Sequence, residues 1–146
     1  MKIKLNPEIA LFLGFWKMRK TPTGIGVFGD KEIQEKFVQK ALTLLKIPPE
    51  KIKVTNNSVS FRHIKYENVF KKIIENETDF FNRKNKITSF FLKGIYESAG
   101  HGNIIWNATF QDRMLIERLG FYTKKKGRDI IIINFSDFLS FINKFG

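Results

Sequence analysis

The sequence has no cysteine, four prolines, two histidines, and 14 acidic residues against 26 lysines and arginines. Without cysteine there are no disulfides, no thiolate-bound metal and no thiol nucleophile, which fits a reducing, cytoplasmic setting. His63 and His101 are too few to build a histidine-rich zinc site. No apolar run reaches the roughly 20 residues that span a bilayer. The stretch Met1 to Pro7 lacks the uncharged apolar core of a secretory signal, so no membrane partner is expected. The shortage of acid leaves a net charge of +12 and a pI near 10.0. That balance points to a polyanionic partner. What the chain has in quantity is apolar bulk: 42% hydrophobic residues, including 16 phenylalanines, enough to build one core from 146 residues.

One stretch organises the rest. Ser89 to Gly100 reads as an apolar helix with Gly94 inside it and Gly100 at its end. A fainter copy runs from Ile9 to Lys20, and aligning Gly14 with Gly94 sets Lys17 against Glu97. A glycine inside a helix costs about 1 kcal/mol relative to alanine. Two at matching places predict that the two helices cross with their backbones in close approach.

The elements around these helices follow in a repeated order. Asn6 and Pro7 start the first helix, which runs to about Met18, and Gly24 to Gly29 reads as a strand. Asp30 caps a second helix with its apolar stripe at Ile33, Phe37, Ala41, Leu44 and Leu45. Residues 51–55 and 58–64 alternate around Asn56-Asn57, a two-residue hairpin. Alternation puts Lys51, Lys53, Thr55, Ser58, Ser60 and Arg62 on one side, with Ile52, Val54, Val59 and Phe61 on the other. A third helix is predicted from Lys65 to Phe81, with Glu67, Glu75, Glu77 and Asp79 on its outer face and Val69, Phe70, Ile73, Ile74 and Phe80 inside.

After the basic joint 82–86 the order recurs. Thr88 is the predicted cap of the next helix, Asn103 to Asn107 a strand, and Thr109 the cap of a helix ended by Gly120. A hairpin follows around Lys125 to Arg128, and Ser136 is the predicted cap of the last helix. Each half reads helix–strand–helix–strand–strand–helix. The period of about 70–80 residues is an internal duplication rather than a solenoid repeat. The expectation is an α+β fold: a single domain, 1–146, with half-repeats at about 5–82 and 86–146.

Taken together, these features resemble the LAGLIDADG homing endonuclease family. Phe91-Leu92-Lys93-Gly94-Ile95-Tyr96-Glu97-Ser98-Ala99-Gly100 matches its form Phe-Leu-x-Gly-x-x-acid-x-acid-Gly except at the second acid. The first copy keeps only the apolar helix and Gly14. The resemblance implies a pseudo-two-fold fold with the signature helices side by side and two sheets lying along the DNA major groove. It also implies that the metal-binding acids fall on Arg19 and Ala99, neither of which can hold magnesium. The resemblance therefore implies the fold without the family's cleavage reaction. Degenerate relatives of this kind serve in DNA-binding regulators.

Glu97 is the one candidate catalytic acid. Its alternative role is a register-fixing pair with Lys17 on the facing helix. Asp30 and Asp112 read as helix-start residues, His63 as structural, and His101 as a solvated turn residue. Gly24-x-Gly26-x-x-Gly29 has dinucleotide-loop spacing, but no strand precedes it and no acid follows, so the glycines read as strand and turn positions.

The nucleic-acid-binding expectation rests on Lys17, Arg19 and Lys20 at the end of the first signature helix. It adds Lys51, Lys53, Thr55, Ser58, Ser60 and Arg62 on the first hairpin, and Lys124, Lys126 and Arg128 on the second. Lysines would neutralise phosphates; Arg62, Asn103 and Asn107 would read base edges. Trp16, Tyr96 and Trp106 read as packing residues, with base stacking the alternative. The predicted function is a non-catalytic, monomeric double-stranded DNA-binding protein without cofactor. The alternatives are a structured-RNA or splicing helper, a divergent endonuclease using magnesium, and a protein-interaction module.

Overall fold

Polar caps decide where most helices begin. In the computed structural model, which describes residues 3–146, the Asn6 side chain accepts the Ile9 amide at 2.8 Å and starts α1, Pro7–Lys17. Asp30 does the same for Ile33 at the head of α2, Lys31–Leu44. Between them lies β1, Ile25–Phe28. The hairpin is β2, Lys53–Val54, and β3, Ser58–Phe61. Thr55 and Ser58 flank its two-residue turn, with the Thr55 amide donating to Ser58 O at 2.8 Å. β3 pairs antiparallel with both β1 and β2, so the first sheet runs β1-β3-β2.

The predicted 65–81 helix is two helices. α3, Ile64–Glu75, is capped by His63 Nδ1, which accepts the Tyr66 amide. Asn76 breaks the run at φ −121° and ψ 32°, and α4, Glu77–Phe80, follows. The break rotates the next residues, so Phe80 is exposed and Phe81 is buried, stacked on Phe91. Glu77, expected on the outer face, is buried with them.

In the second half, α5 spans Lys86–Ala99 and its cap is Asn85, not Thr88. Asparagine caps as well as serine or threonine do, and the earlier start leaves Thr88 buried. β4, Gly100–His101, and β5, Ile104–Ile105, form a hairpin where a single strand was expected. α6, Phe110–Arg118, opens on a capping box between Thr109 and Asp112. β6, Thr123–Lys126, and β7, Asp129–Ile132, close on a Gly127-Arg128 turn tighter than the predicted one. α7, Phe135–Asn143, starts after Asn134, not Ser136. The Asn134 side chain instead ties Gly120 O to the Tyr122 amide. The second sheet runs β4-β5-β7-β6, all antiparallel. The fold is thus mixed α+β with two small antiparallel sheets.

α1 and α5 lie at the centre and touch backbone to backbone. A Cβ on Gly14 would sit 2.0 Å from Phe91 O, and one on Gly94 would sit 2.2 Å from Leu11 O. The glycines are there because no side chain fits. Phe12, Phe37, Phe61 and Phe70 pack around α1 beneath the first sheet. Phe121, Phe138 and Phe141 pack beneath the second. Each sheet shows one face to this core: Ile25, Val27, Val59 and Phe61 from the first, Ile105, Ile130 and Ile132 from the second. Val54 has the inward parity, yet it is exposed, because edge strand β2 overhangs α2 and Val54 only borders a groove with Val38 and Leu42. Among the described residues, no helix is long and apolar enough to cross a membrane.

Candidate nucleic-acid interface

With Ile25, Val27, Val59 and Phe61 turned inward, period-two alternation sends Gly26, Phe28, Ser58 and Ser60 outward. Lys53 pairs opposite Ser60 and so shares that face. The outer face of the first sheet becomes a depression lined by Thr21, Thr23, Phe28, Lys53, Thr55, Ser58 and Ser60. It continues into a second depression formed by Lys51, Lys53, Ser60 and Arg62. The six hairpin residues singled out from the sequence are therefore brought together. Thr55 and Ser58 hydroxyls bond each other at 2.7 Å. Arg62 is largely exposed and pairs with Glu67 at 3.2 Å, so part of its charge is already answered.

The second sheet offers a different outer face. Lys124 pairs opposite Ile131, and Ile131 opposite Ile104, while Lys126 faces Asp129. Tyr122 and Ile133 extend that ladder, the Ile133 amide donating to Tyr122 O at 2.8 Å, and both are exposed. Lys124, Lys126 and Arg128 are exposed along the hairpin to its tip. Asn103 and Asn107 lie at the two ends of β5. Asn103 O accepts the Ile132 amide, and Asn107, at φ 53°, donates its amide to Asp129.

The end of α1 is used differently from the expectation. Lys17 does not meet Glu97. Its ammonium is buried between the carboxylates of Glu77 and Asp112. Glu97 instead takes Lys40 of α2 at 2.8 Å. The reason is length: where α1 and α5 cross at their glycines the backbones touch, so long side chains at the aligned positions must reach sideways to other elements. Buried Lys17 cannot contact a phosphate. Burial pushes the Glu77 carboxyl above the ordinary carboxylate range, with Lys17 opposing and Asp112 adding to the rise.

Lys20 pairs with Val27 as an isolated bridge, and its ammonium sits 5.0 Å from the Trp16 ring centre, in a cleft with Glu67 and Glu75. That cleft is not the sheet face. Arg19 donates its Nε to Ser98 O at 2.8 Å, at the carbonyl end of α5. Burial lowers its pKa, with Asp30 opposing, but a guanidinium stays charged at physiological pH. Glu97 is held by Lys40, and Ala99 has no ligand atom. The residues at this place do not fit a divalent cation, and among the described residues no cluster of three His, Cys, Asp or Glu side chains exists.

Trp106, read from the sequence as core, is 39% exposed. The signal was in the alternation: with Ile105 buried, Ile104 and Trp106 share the other side. His101 is exposed on β4, and Tyr96 donates its hydroxyl to Gly102 O. Comparison of the chain with protein-family models, with curated proteins and with solved structures finds no match in any of the three.

Proposed function

We propose that this chain is a non-cleaving, double-stranded DNA-binding protein with a LAGLIDADG-like, pseudo-two-fold fold. The observation that carries the reading is the outer face of the first sheet, where Lys51, Lys53 and Arg62 are gathered with Thr55, Ser58 and Ser60 along two adjoining depressions. Cations among hydroxyls suit a phosphate backbone, the ammonium groups supplying charge and the hydroxyls hydrogen bonds. Lys124, Lys126 and Arg128 give the second sheet its own cationic strip.

Three features support the duplicated fold. The glycines of α1 and α5 meet reciprocally at one crossing. The second sheet runs β4-β5-β7-β6; the first runs β1-β3-β2, with Lys20 bridged to β1 where β4 stands in the other. Each half also closes on a hairpin followed by a helix. Because the chain carries both halves, a monomer is the expected state.

The non-cleaving part of the reading rests on Arg19 and Ala99, which put a cation and a methyl where the family places its metal-binding acids. The Arg19 guanidinium is also fixed on the α5 carbonyl end, so it blocks rather than vacates the position.

The test is a titration of duplex DNA and structured RNA at two salt concentrations, with and without magnesium, followed by a denaturing gel. Salt-sensitive duplex binding with intact product is expected. Replacing Lys51, Lys53 and Arg62 with alanine should lower the salt slope by about one unit for each phosphate left without its cation. Cut product would make the protein an endonuclease, tighter RNA binding would make it an RNA-binding module, and an unchanged slope would remove the first sheet from the interface.

A further inference from the structure

Two exposed aromatic rings meet in the seam between the sheets. Phe28 is the last residue of β1, on the outer face opposite Ser58, and it borders the depression that holds Lys53 and Thr55. Trp106 follows β5, its amide donating to Ala99 O at 2.8 Å and prolonging the β4-β5 ladder. Phe28 is 42% exposed and Trp106 is 39% exposed. Their ring centres are 6.2 Å apart, edge to face at 73°.

The Arg19 guanidinium holds this pair from one side. It lies 5.0 Å from the Trp106 ring centre, donates through Nε to Ser98 O at 2.8 Å, and reaches Phe28 O at 3.4 Å through Nη1. The cation therefore ties β1, α5 and the Trp106 turn together, and the rings are supported from behind. Large rings left partly in water forgo burial that would otherwise favour the folded state. Here they stand between the cationic hairpin face of the first sheet and that of the second.

We propose that Phe28 and Trp106 form a base-stacking wedge at the middle of the nucleic-acid interface. The wedge selects duplex DNA in which a base at the centre of the site is unstacked or easily unstacked. Apolar side chains inserted at a base step, flanked by cations, accept an opened base at much lower cost than a fully stacked one. An aromatic face stacks on any base, so the selection is for an open step rather than for a letter. The inference rests on the DNA-binding reading given above.

The experiment uses the full chain and two duplexes of identical sequence, one fully paired and one with a single unpaired nucleotide at its centre, each titrated at several salt concentrations. The bulged duplex should bind about tenfold more tightly. Phe28→Ala and Trp106→Ala should each erase most of that preference while leaving the salt slope near that of the parent. Trp106→Phe should keep part of it. Trp16 is 5% exposed, so a change in tryptophan emission on binding reports on Trp106 and should vanish in Trp106→Phe. Equal, salt-dependent binding of both duplexes would overturn the wedge and leave DNA binding standing. A preference that survived in both alanine variants would also overturn it. Binding of neither duplex would remove both readings.

Discussion

α1 and α5 meet at one crossing and share one feature there, a glycine, yet their polar ends are fitted in opposite ways. α1 ends in Lys17, with Arg19 two residues beyond it, and both reach back onto the protein. Lys17 is buried between two carboxylates, one from α4 and one from α6. α5 ends in Glu97, half-buried in a pair with Lys40, and Ala99. The shared part is steric and tolerates no variation. The differing part is electrostatic, and each helix solves it with whatever neighbour lies within reach. A close crossing therefore defines the position of two helices without defining which side chains leave it.

The strongest way to break this comparison is to add a methyl group at the crossing. Gly14→Ala and Gly94→Ala would each gain helix propensity of about 1 kcal/mol. Each added Cβ would meet a backbone carbonyl at 2.0 or 2.2 Å, which only separation of the helices can relieve. We expect each to destabilise by more than the roughly 3 kcal/mol of ordinary overpacking, and the double variant to lose cooperative unfolding. Thermal melts of all three would check this. A tolerated Gly14→Ala beside an intolerable Gly94→Ala would show that the two helices do not share one crossing equally.

The next comparison is between the two lysines. Lys17→Met leaves Glu77 and Asp112 buried without their cation, a loss of about 3 kcal/mol, at the lower end for such pairs because Glu77 can take up a proton. Lys40→Met removes a partly buried pair, less enclosed than that of Lys17, and the expected cost is about 1 kcal/mol. Denaturant midpoints of the two variants would sharpen the contrast. Similar losses would mean that burial does not separate the two ends.

Much of this architecture is legible in the sequence, and the misses share a cause. Asn6, Asp30 and Thr109 are readable as caps because the side chain, the free amide and the apolar stripe all lie within one turn. The glycine crossing is readable because a costly residue stands at matching places. Asn85 yields to Thr88 as the expected cap, since Lys86 and Ile87 do not look like a first helical turn. The break at Asn76 and the burial of Glu77 are not readable, because the partner that draws Glu77 inward, Lys17, lies 60 residues away. The hairpin face around Lys53 follows from alternation alone. The same rule turns Phe28 and Trp106 outward once their buried neighbours Val27 and Ile105 set the parity.

The smallest expected effect is the most informative about the buried trio. One cation faces two acids, so burial raises the pKa of Glu77 even though Lys17 opposes the shift. A carboxyl whose pKa is higher folded than unfolded binds more protons in the folded state across the interval between the two values. Stability therefore falls as pH rises through that interval, and above it the charged carboxylate is a net cost to the fold. Glu77→Gln removes that cost and leaves Lys17 paired with Asp112. At pH 7 the variant should be as stable as the parent or slightly more so. As pH falls from the raised folded value towards the ordinary carboxylate range, the parent protonates Glu77 in the folded state and the advantage should disappear. Parallel denaturation series for the two proteins from pH 7 to pH 4 would show it. A variant that was clearly less stable at pH 7, and that closed the gap on acidification, would mean that the attraction of Lys17 outweighs the desolvation of Glu77, with the charge-balanced role belonging to Asp112 and Glu77 together.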